Sequence, residues 1–400
     1  MKWRVTERVD QIPVFSEDAP YQTYLIEEKA EEMSRRGEDV IVLTSNEITD
    51  DTPVYIKDAV KEALDHGQTQ YPPLLGLTDL RRAIAEKLKT EGADYSEKEI
   101  MVTLGAQEGI FLTIQSLVTS GDDVIMFKPD YFFNFHIEYS GGHPVYVPLQ
   151  KGQSFMLDAK ILEEKITPKT KMICLDSPSN PVGRVYTEKE LRAVSDLASE
   201  HDLYVLHDTA NEKLVWDGRS NINILSLPGM RERGVNTCSV SKCYGMGGWR
   251  VGYVAAEEEL IRKVAKLHNI INNVGPPTFV QSAAIALYRD LESKPVKDLL
   301  RLTEQRRDAA YERAKELPNV TCHKPEGGGV LLPDITHYEE SSTKFANRLL
   351  AEAKVAVAPG SGYNAEGYVR IGFANPRIEE AMDRIQAWLL RQPPRQLRPA

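Results

Sequence analysis

With 400 residues the chain exceeds one ordinary hydrophobic core, so a large domain with a smaller companion is expected. Apolar residues make up 42%, which supports a packed globular protein, and 59 Asp plus Glu against 49 Lys plus Arg leave a net charge of −10. That sign argues against nucleic acid and anionic membrane as partners, but a small anionic ligand can still be held by a few backbone amides and an Arg.

The start, Met1 to Asp10, alternates in charge and lacks the apolar run of a signal peptide, and no stretch approaches transmembrane length. Cys174, Cys238, Cys243 and Cys322 form no CxxC pair and no metal-ligand spacing. A soluble, cytoplasmic protein with unpaired thiols and no metal is expected. Tyr21 to Arg36 reads as a helix, Asp39 to Leu43 as a short strand and Thr44 to Pro53 as a polar loop rich in turn residues. Residues 1–45 therefore read as an N-terminal arm that also contributes to a small domain.

Ile100 to Leu104 reads as a strand that opens into an amphipathic helix. Further apolar runs follow at Val124 to Phe127, Val145 to Val147, Met172 to Leu175, Leu203 to Leu206, Thr237 to Val240 and Val251 to Ala255, with helical segments between them. That alternation predicts an α/β sheet, and strands apolar throughout are expected to be covered on both faces, as mostly parallel sheets are. The large domain is assigned to 46–290. Beyond it, long charged helices at Val296 to Leu317 and Ser342 to Ala353, with short strands around Val320 and at Val355 to Ala358, predict a small α+β domain over 291–391. The Pro- and Arg-rich end, 392–400, reads as a disordered tail. There is no internal repeat.

Ligands of open α/β sheets gather at the carboxyl ends of the strands. Three residues hold such positions: Asn180 in Ser177-Pro178-Ser179-Asn180-Pro181-Val182-Gly183, Asp208 at the end of Leu203 to Asp208, and Lys242 after Thr237 to Val240. Singly, each has a plain structural explanation: a turn, a helix cap and a solvated loop lysine.

Jointly, Asn180, Asp208, Lys242 and Arg250, with Arg370 far downstream, resemble the class I aminotransferases among the fold-type I pyridoxal-phosphate enzymes, over nearly the whole chain. Ser239, Ser241, Lys242, Tyr244, Gly245, Met246, Gly248 and Arg250 match the family's lysine signature, a far more specific pattern than a lone glycine-rich loop. The resemblance implies a mostly parallel seven-stranded sheet between helices in the large domain. It also implies pyridoxal 5'-phosphate held as a Schiff base on Lys242, which would move the Cα proton as general base. Asp208 would pair with the pyridine nitrogen and Asn180 with the ring hydroxyl. Arg250, Ser239 and the backbone amides of Gly105, Ala106 and Gln107 would hold the phosphate. Tyr131 matches the aromatic that stacks on the ring. Tyr71 matches the tyrosine offered by a partner subunit, which implies a homodimer with shared active sites. Arg370, in Tyr368-Val369-Arg370-Ile371-Gly372, matches the clamp for the substrate α-carboxylate.

Two positions depart from the family pattern. Asn211, three residues after Asp208, replaces a tyrosine whose phenol donates to the ring hydroxyl, so a raised proton affinity of the Schiff base is expected. Asn46 stands where the family has glycine, next to the substrate carboxylate, and brings a side chain to the substrate-binding wall. Gly327-Gly328-Gly329-Val330 is expected to line the substrate pocket. The expected activity is conversion of an α-amino acid to a 2-oxo acid. The alternative is a pyridoxal-phosphate lyase, β- or γ-replacement enzyme, cyclase or oxidase, favoured by Asn46 and Asn211. A transcription regulator would need an N-terminal DNA-binding unit, for which the arm is too short and the charge wrong.

Overall fold

The protein is described by a computed structural model over residues 23–130 and 133–393. In chain order the first half comprises α1 (Thr23–Arg35), β1 (Ile41–Val42), α2 (Val54–Asp65), α3 (Thr78–Thr90), β2 (Ile100–Thr103), α4 (Ala106–Leu117), β3 (Asp123–Lys128), α5 (Phe133–Tyr139), β4 (His143–Pro148), α6 (Ala159–Glu164), β5 (Thr170–Asp176) and α7 (Glu188–Glu200). Then follow β6 (Tyr204–Asp208), β7 (Gly234–Ser239), β8 (Gly252–Ala255), α8 (Glu258–Asn272), α9 (Thr278–Arg289), α10 (Lys294–Glu316), β9 (Val330–Leu331), α11 (Ser342–Ala353), β10 (Val355–Ala356), β11 (Ala358–Pro359), β12 (Val369–Gly372) and α12 (Ile378–Leu389).

Seven strands form one sheet in the order β2-β8-β7-β6-β5-β3-β4. Strand β8 runs antiparallel to both neighbours, and the other pairs are parallel. The apolar runs alternate between two cores, as the two-residue period of a strand requires. Val102, Ile125, Ile173 and Val205 enter the core built with Leu80 and Ile84 of α3, Leu191 and Val194 of α7 and Leu287 of α9. Their neighbours Met101, Val124, Met172 and Leu206 enter the opposite core with Ile110 and Ile114 of α4 and Ile261 and Val264 of α8. Both faces are therefore covered, which is why these strands read as unbroken apolar runs.

Two smaller sheets lie in the rest of the chain. Strands β11, β12 and β9 form an antiparallel sheet, and β1 pairs in parallel with β10 across more than 300 residues. The Gly372 N–H donates to Leu43 O at 2.8 Å, which brings the Thr44 to Glu47 loop beside the strand carrying Arg370. One expectation fails: no strand forms at Val320, where Thr321 makes only an isolated bridge to Asp334. The run expected at Val355 to Ala358 is divided between two sheets, because the chain leaves β1 after Ala356 and joins β12 at Ala358. Among the described residues no helix is long and apolar enough to cross a membrane. Nor do three or more His, Cys, Asp or Glu side chains converge there as metal ligands.

Candidate active site

The parallel pairing of β5, β6 and β7 sets their carboxyl ends side by side, and the strand-end residues of the sequence meet there. Asp208 is buried; its Oδ1 accepts the Ala210 N–H at 3.1 Å and the Thr237 hydroxyl at 3.4 Å. Burial pushes its pKa up to about 7, against the pull of those two hydrogen bonds and of Lys242. Lys242 lies on the turn after β7. Burial, with the Arg370 and Arg250 charges, brings its amine down to about 8, against the opposing pull of Glu47 and Asp208. An amine brought toward neutrality is available as a nucleophile and as a base.

Gly105 starts α4 with φ at +79°, and a Cβ there would lie 2.7 Å from Arg250 Nη2. The left-handed backbone and the lack of a side chain thus let the guanidinium lie against the helix start. Arg250 is held by Gly247 O at 2.9 Å and Leu104 O at 3.2 Å, and remains exposed. A cation at a helix N-terminus, with the backbone amides of Ala106 and Gln107 in the first turn, forms an anion cradle. Ser239 is buried at the end of β7 two residues from Ser241, whose N–H it accepts at 3.4 Å, and Ser241 Oγ accepts from Arg250 at 3.4 Å. The Gln107 side chain meets His136 Nε2 at 2.8 Å.

Arg370 is buried. Its Nη1 donates to Asn180 Oδ1 at 3.1 Å, its Nη2 donates to Thr44 O, and the Tyr363 ring lies 4.4 Å from the guanidinium carbon. Its Nε–H is buried without a partner among the described residues. Asn211 is also buried, with Nδ2 donating to Pro178 O at 3.2 Å and Oδ1 without a partner among the described residues. Asn46 is buried with its backbone O 3.0 Å from where a Gly329 side chain would begin, so the glycine run and the Asn46 loop close on each other. Gly327 likewise leaves no room for a side chain against Leu214 O and Pro178.

Asn180, Asp208, Ser239, Lys242, Arg250, Gly105, Asn211, Asn46 and Arg370 thus belong to one region of the fold. Tyr71 does not join them within the chain: it is 84% exposed. Tyr131 lies outside the described residues, as do residues 1–22 of the arm and 394–400 of the tail. Sequence reasoning missed Asp176, Thr237, Glu47 and Tyr363. Only Asp176 carried a legible signal, since it ends an apolar run just as Asp208 does. Behind the site, Lys87 is fully buried and donates to Glu212 and to the Tyr253 hydroxyl at 3.0 Å, anchoring the segment that follows Asp208.

Residues 38–385 match the family described as aminotransferase class I and II. The chain is 39% identical over 356 residues to an aspartate aminotransferase of Pyrococcus abyssi, covering 87% of this chain and 91% of that protein. It is 38% identical over 357 residues to aromatic-amino-acid aminotransferase 2 of Thermococcus litoralis, with the same coverage. Among solved structures, the aspartate aminotransferase from Rhizobium meliloti superposes with a TM-score of 0.90 at 29% identity, over 98% of this chain and all of that one. The chain belongs to the class I and II aminotransferases. Within that family it is an enzyme of the fold-type I architecture, and these relatives favour transamination over the lyase, replacement, cyclase and oxidase alternative.

Proposed function

We propose that this aminotransferase binds pyridoxal phosphate on Lys242 and converts an α-amino acid to its 2-oxo acid. The observation that carries the proposal is the convergence of a buried lysine of lowered proton affinity, a strand-end carboxyl group and two separately held arginines at the ends of three neighbouring strands. The residues fit the cofactor and its substrate: Gly105 leaves the space that lets Arg250 lie against the helix start, and the buried Arg370 Nε–H, meant for the substrate carboxylate, has no acceptor among the described residues. Arg250, Ser239, Ser241 and the amides of Ala106 and Gln107 would hold the phosphate. Asp208 would hold a proton on the pyridine nitrogen and Asn180 would face the ring hydroxyl. When bound, the cofactor supplies an aldehyde for imine exchange and an electron sink for the Cα carbanion.

With the cofactor bound, Lys242 would serve as the general base that holds and moves the substrate Cα proton. Arg370 orients the substrate by gripping its α-carboxylate, with Asn46 and Gly327 to Gly329 forming the adjacent wall. We extend the proposal to a homodimer in which Tyr71, exposed in its own chain, serves the partner's phosphate site. Residues 46–290 would form the cofactor-binding unit and 291–391, joined by the arm through the β1–β10 pair, the smaller one. A cytoplasmic location is part of the proposal, supported by four free cysteines.

The test mixes the purified holoenzyme with single amino acids, aspartate, tyrosine and phenylalanine among them, without any oxo acid. Loss of the visible cofactor band with one equivalent of 2-oxo acid is expected. An eliminated, cyclised or oxidised product would overturn transamination.

A further inference from the structure

One carboxyl group beside the site has no task in this scheme. Asp176 ends β5, and its register partner on β6 is Asp208. Neighbouring parallel strands lie about 4.8 Å apart and register partners leave the same face, so the two carboxyl groups project side by side. Asp176 Oδ2 accepts the Asn180 N–H at 2.6 Å, closing the turn through Ser177, Pro178 and Ser179. The far side of that turn is bound to the rest of the site. Asn180 Oδ1 accepts from Arg370, and Pro178 O accepts from Asn211.

The groups that act on Asp176 are themselves acids. Asp208 faces it from β6 and Asp130 from the loop after β3, and Asp176 in turn acts on the Tyr186 phenol. Burial, opposed by the Asn180 N–H and reinforced by the Asp208 and Asp130 charges, raises Asp176 well above the ordinary carboxylate range. Two carboxylates in one desolvated pocket repel strongly enough that one keeps its proton. Lys242 acts on Asp208 and favours the charge there.

We propose that Asp176 is a positioning residue for the reaction: its carboxyl oxygen fixes the Asn180 turn beside Asp208, the carboxyl group that would meet the ring nitrogen. The inference deepens the pyridoxal-phosphate proposal and rests on it. What the position needs is a short side chain with an acceptor oxygen that reaches the amide four residues ahead. An amide oxygen meets that need as well as a neutral carboxyl does.

The test compares Asp176→Asn and Asp176→Ala holoenzymes with the parent by pH titration of the visible cofactor band and by KM and kcat for the amino-acid half-reaction. Asp176→Asn is expected to titrate within about 0.3 pH unit of the parent and to keep KM within about twofold, since no charge is removed. Asp176→Ala strands a buried N–H and frees the turn, so KM is expected to rise about tenfold with kcat held within about threefold. A band shift of about one pH unit or more in Asp176→Asn would show an ionised Asp176 and overturn the inference. An unchanged KM in Asp176→Ala would overturn the positioning role. Should the alanine variant fail to fold, the asparagine titration still decides. Failure of the cofactor proposal itself looks different: the parent protein would show no visible band that amino acids bleach.

Discussion

Arg370→Lys keeps a positive charge at the substrate wall while removing the fork that the structure prepares. In the parent, Thr44 O and Asn180 Oδ1 each occupy one N–H, and the Tyr363 ring covers the guanidinium plane. The remaining N–H groups, including the Nε–H, which has no partner among the described residues, are therefore aimed before substrate arrives. Two parallel charge-assisted hydrogen bonds are available to a carboxylate, each worth about 1.5–3 kcal/mol. A lysine offers a point charge without the second bond and leaves Asn180 Oδ1 or Thr44 O without its donor. A net loss of about 2–3 kcal/mol follows, or about 30- to 150-fold in kcat/KM. Stopped-flow absorbance of the half-reaction measures it, with the pH titration of the cofactor band as a control expected not to move. Discrimination between an amino acid and its amide should fall in parallel, because the lost contact is the one that reads the carboxylate. A loss below about threefold would refute the assignment of Arg370 as the clamp.

Arg184 donates to both oxygens of Glu326 at 3.0 Å and of Glu190 at 2.9 Å in a buried network. Arg184→Met removes the buried cation between them, leaving Glu326 with Arg219 and Glu190 with the Thr187 and Leu157 donors, and should cost about 3–5 kcal/mol. At about 2.1 cal/mol/K per residue over the whole chain, that is about 4–6 °C in Tm, so an unchanged calorimetric Tm would refute it. The pKa of Asp208, about 7 in the folded protein, lies above its ordinary 3.8. Its contribution to stability in the cofactor-free protein is therefore complete below about pH 4 and lost as pH rises through about 7. Cofactor-free Asp208→Asn should melt higher than the parent at pH 8 and about level with it at pH 4; equal melting at pH 8 would contradict the burial argument. Gly105→Ala forces a Cβ into the left-handed region and against Arg250. Cofactor affinity should fall about tenfold by equilibrium dialysis, and unaltered retention would remove Gly105 from the phosphate cradle. Asn211→Tyr restores a phenol near the ring hydroxyl and should lower the titration of the cofactor band by about one pH unit. No movement would show that Asn211 does not set that value.

Much of the sheet was legible because strands and their covering helices leave local marks. An apolar run such as Met172 to Leu175 has side chains in both cores, and it announces itself without any partner. The order of the strands is different, since nothing within Gly252–Ala255 says that β8 inserts antiparallel between β2 and β7. Val320 shows the converse: an apolar neighbourhood suggested a strand, but no neighbouring edge offers more than a single bridge. At the site, Lys242 was legible through its crowded local signature, whereas Asp176 was passed over because its partner Asp208 is 32 residues away in the chain and adjacent only across a ladder.

By itself the sequence determined the chemical inventory and the alternation of elements: a lysine in a glycine-bounded turn, carboxyl groups at strand ends, an arginine flanked by apolar residues. These depend on neighbours within a few positions, where side-chain period and turn chemistry act. Only the tertiary structure decided which of those groups meet and in what state of charge. Arg370 is aimed by Thr44 and Asn180, 326 and 190 residues away, and the proton affinities of Lys242 and Asp208 come from burial and charges that the fold assembles. Coulomb forces and desolvation act through space, and distance in space is set by strand pairing rather than by position in the chain.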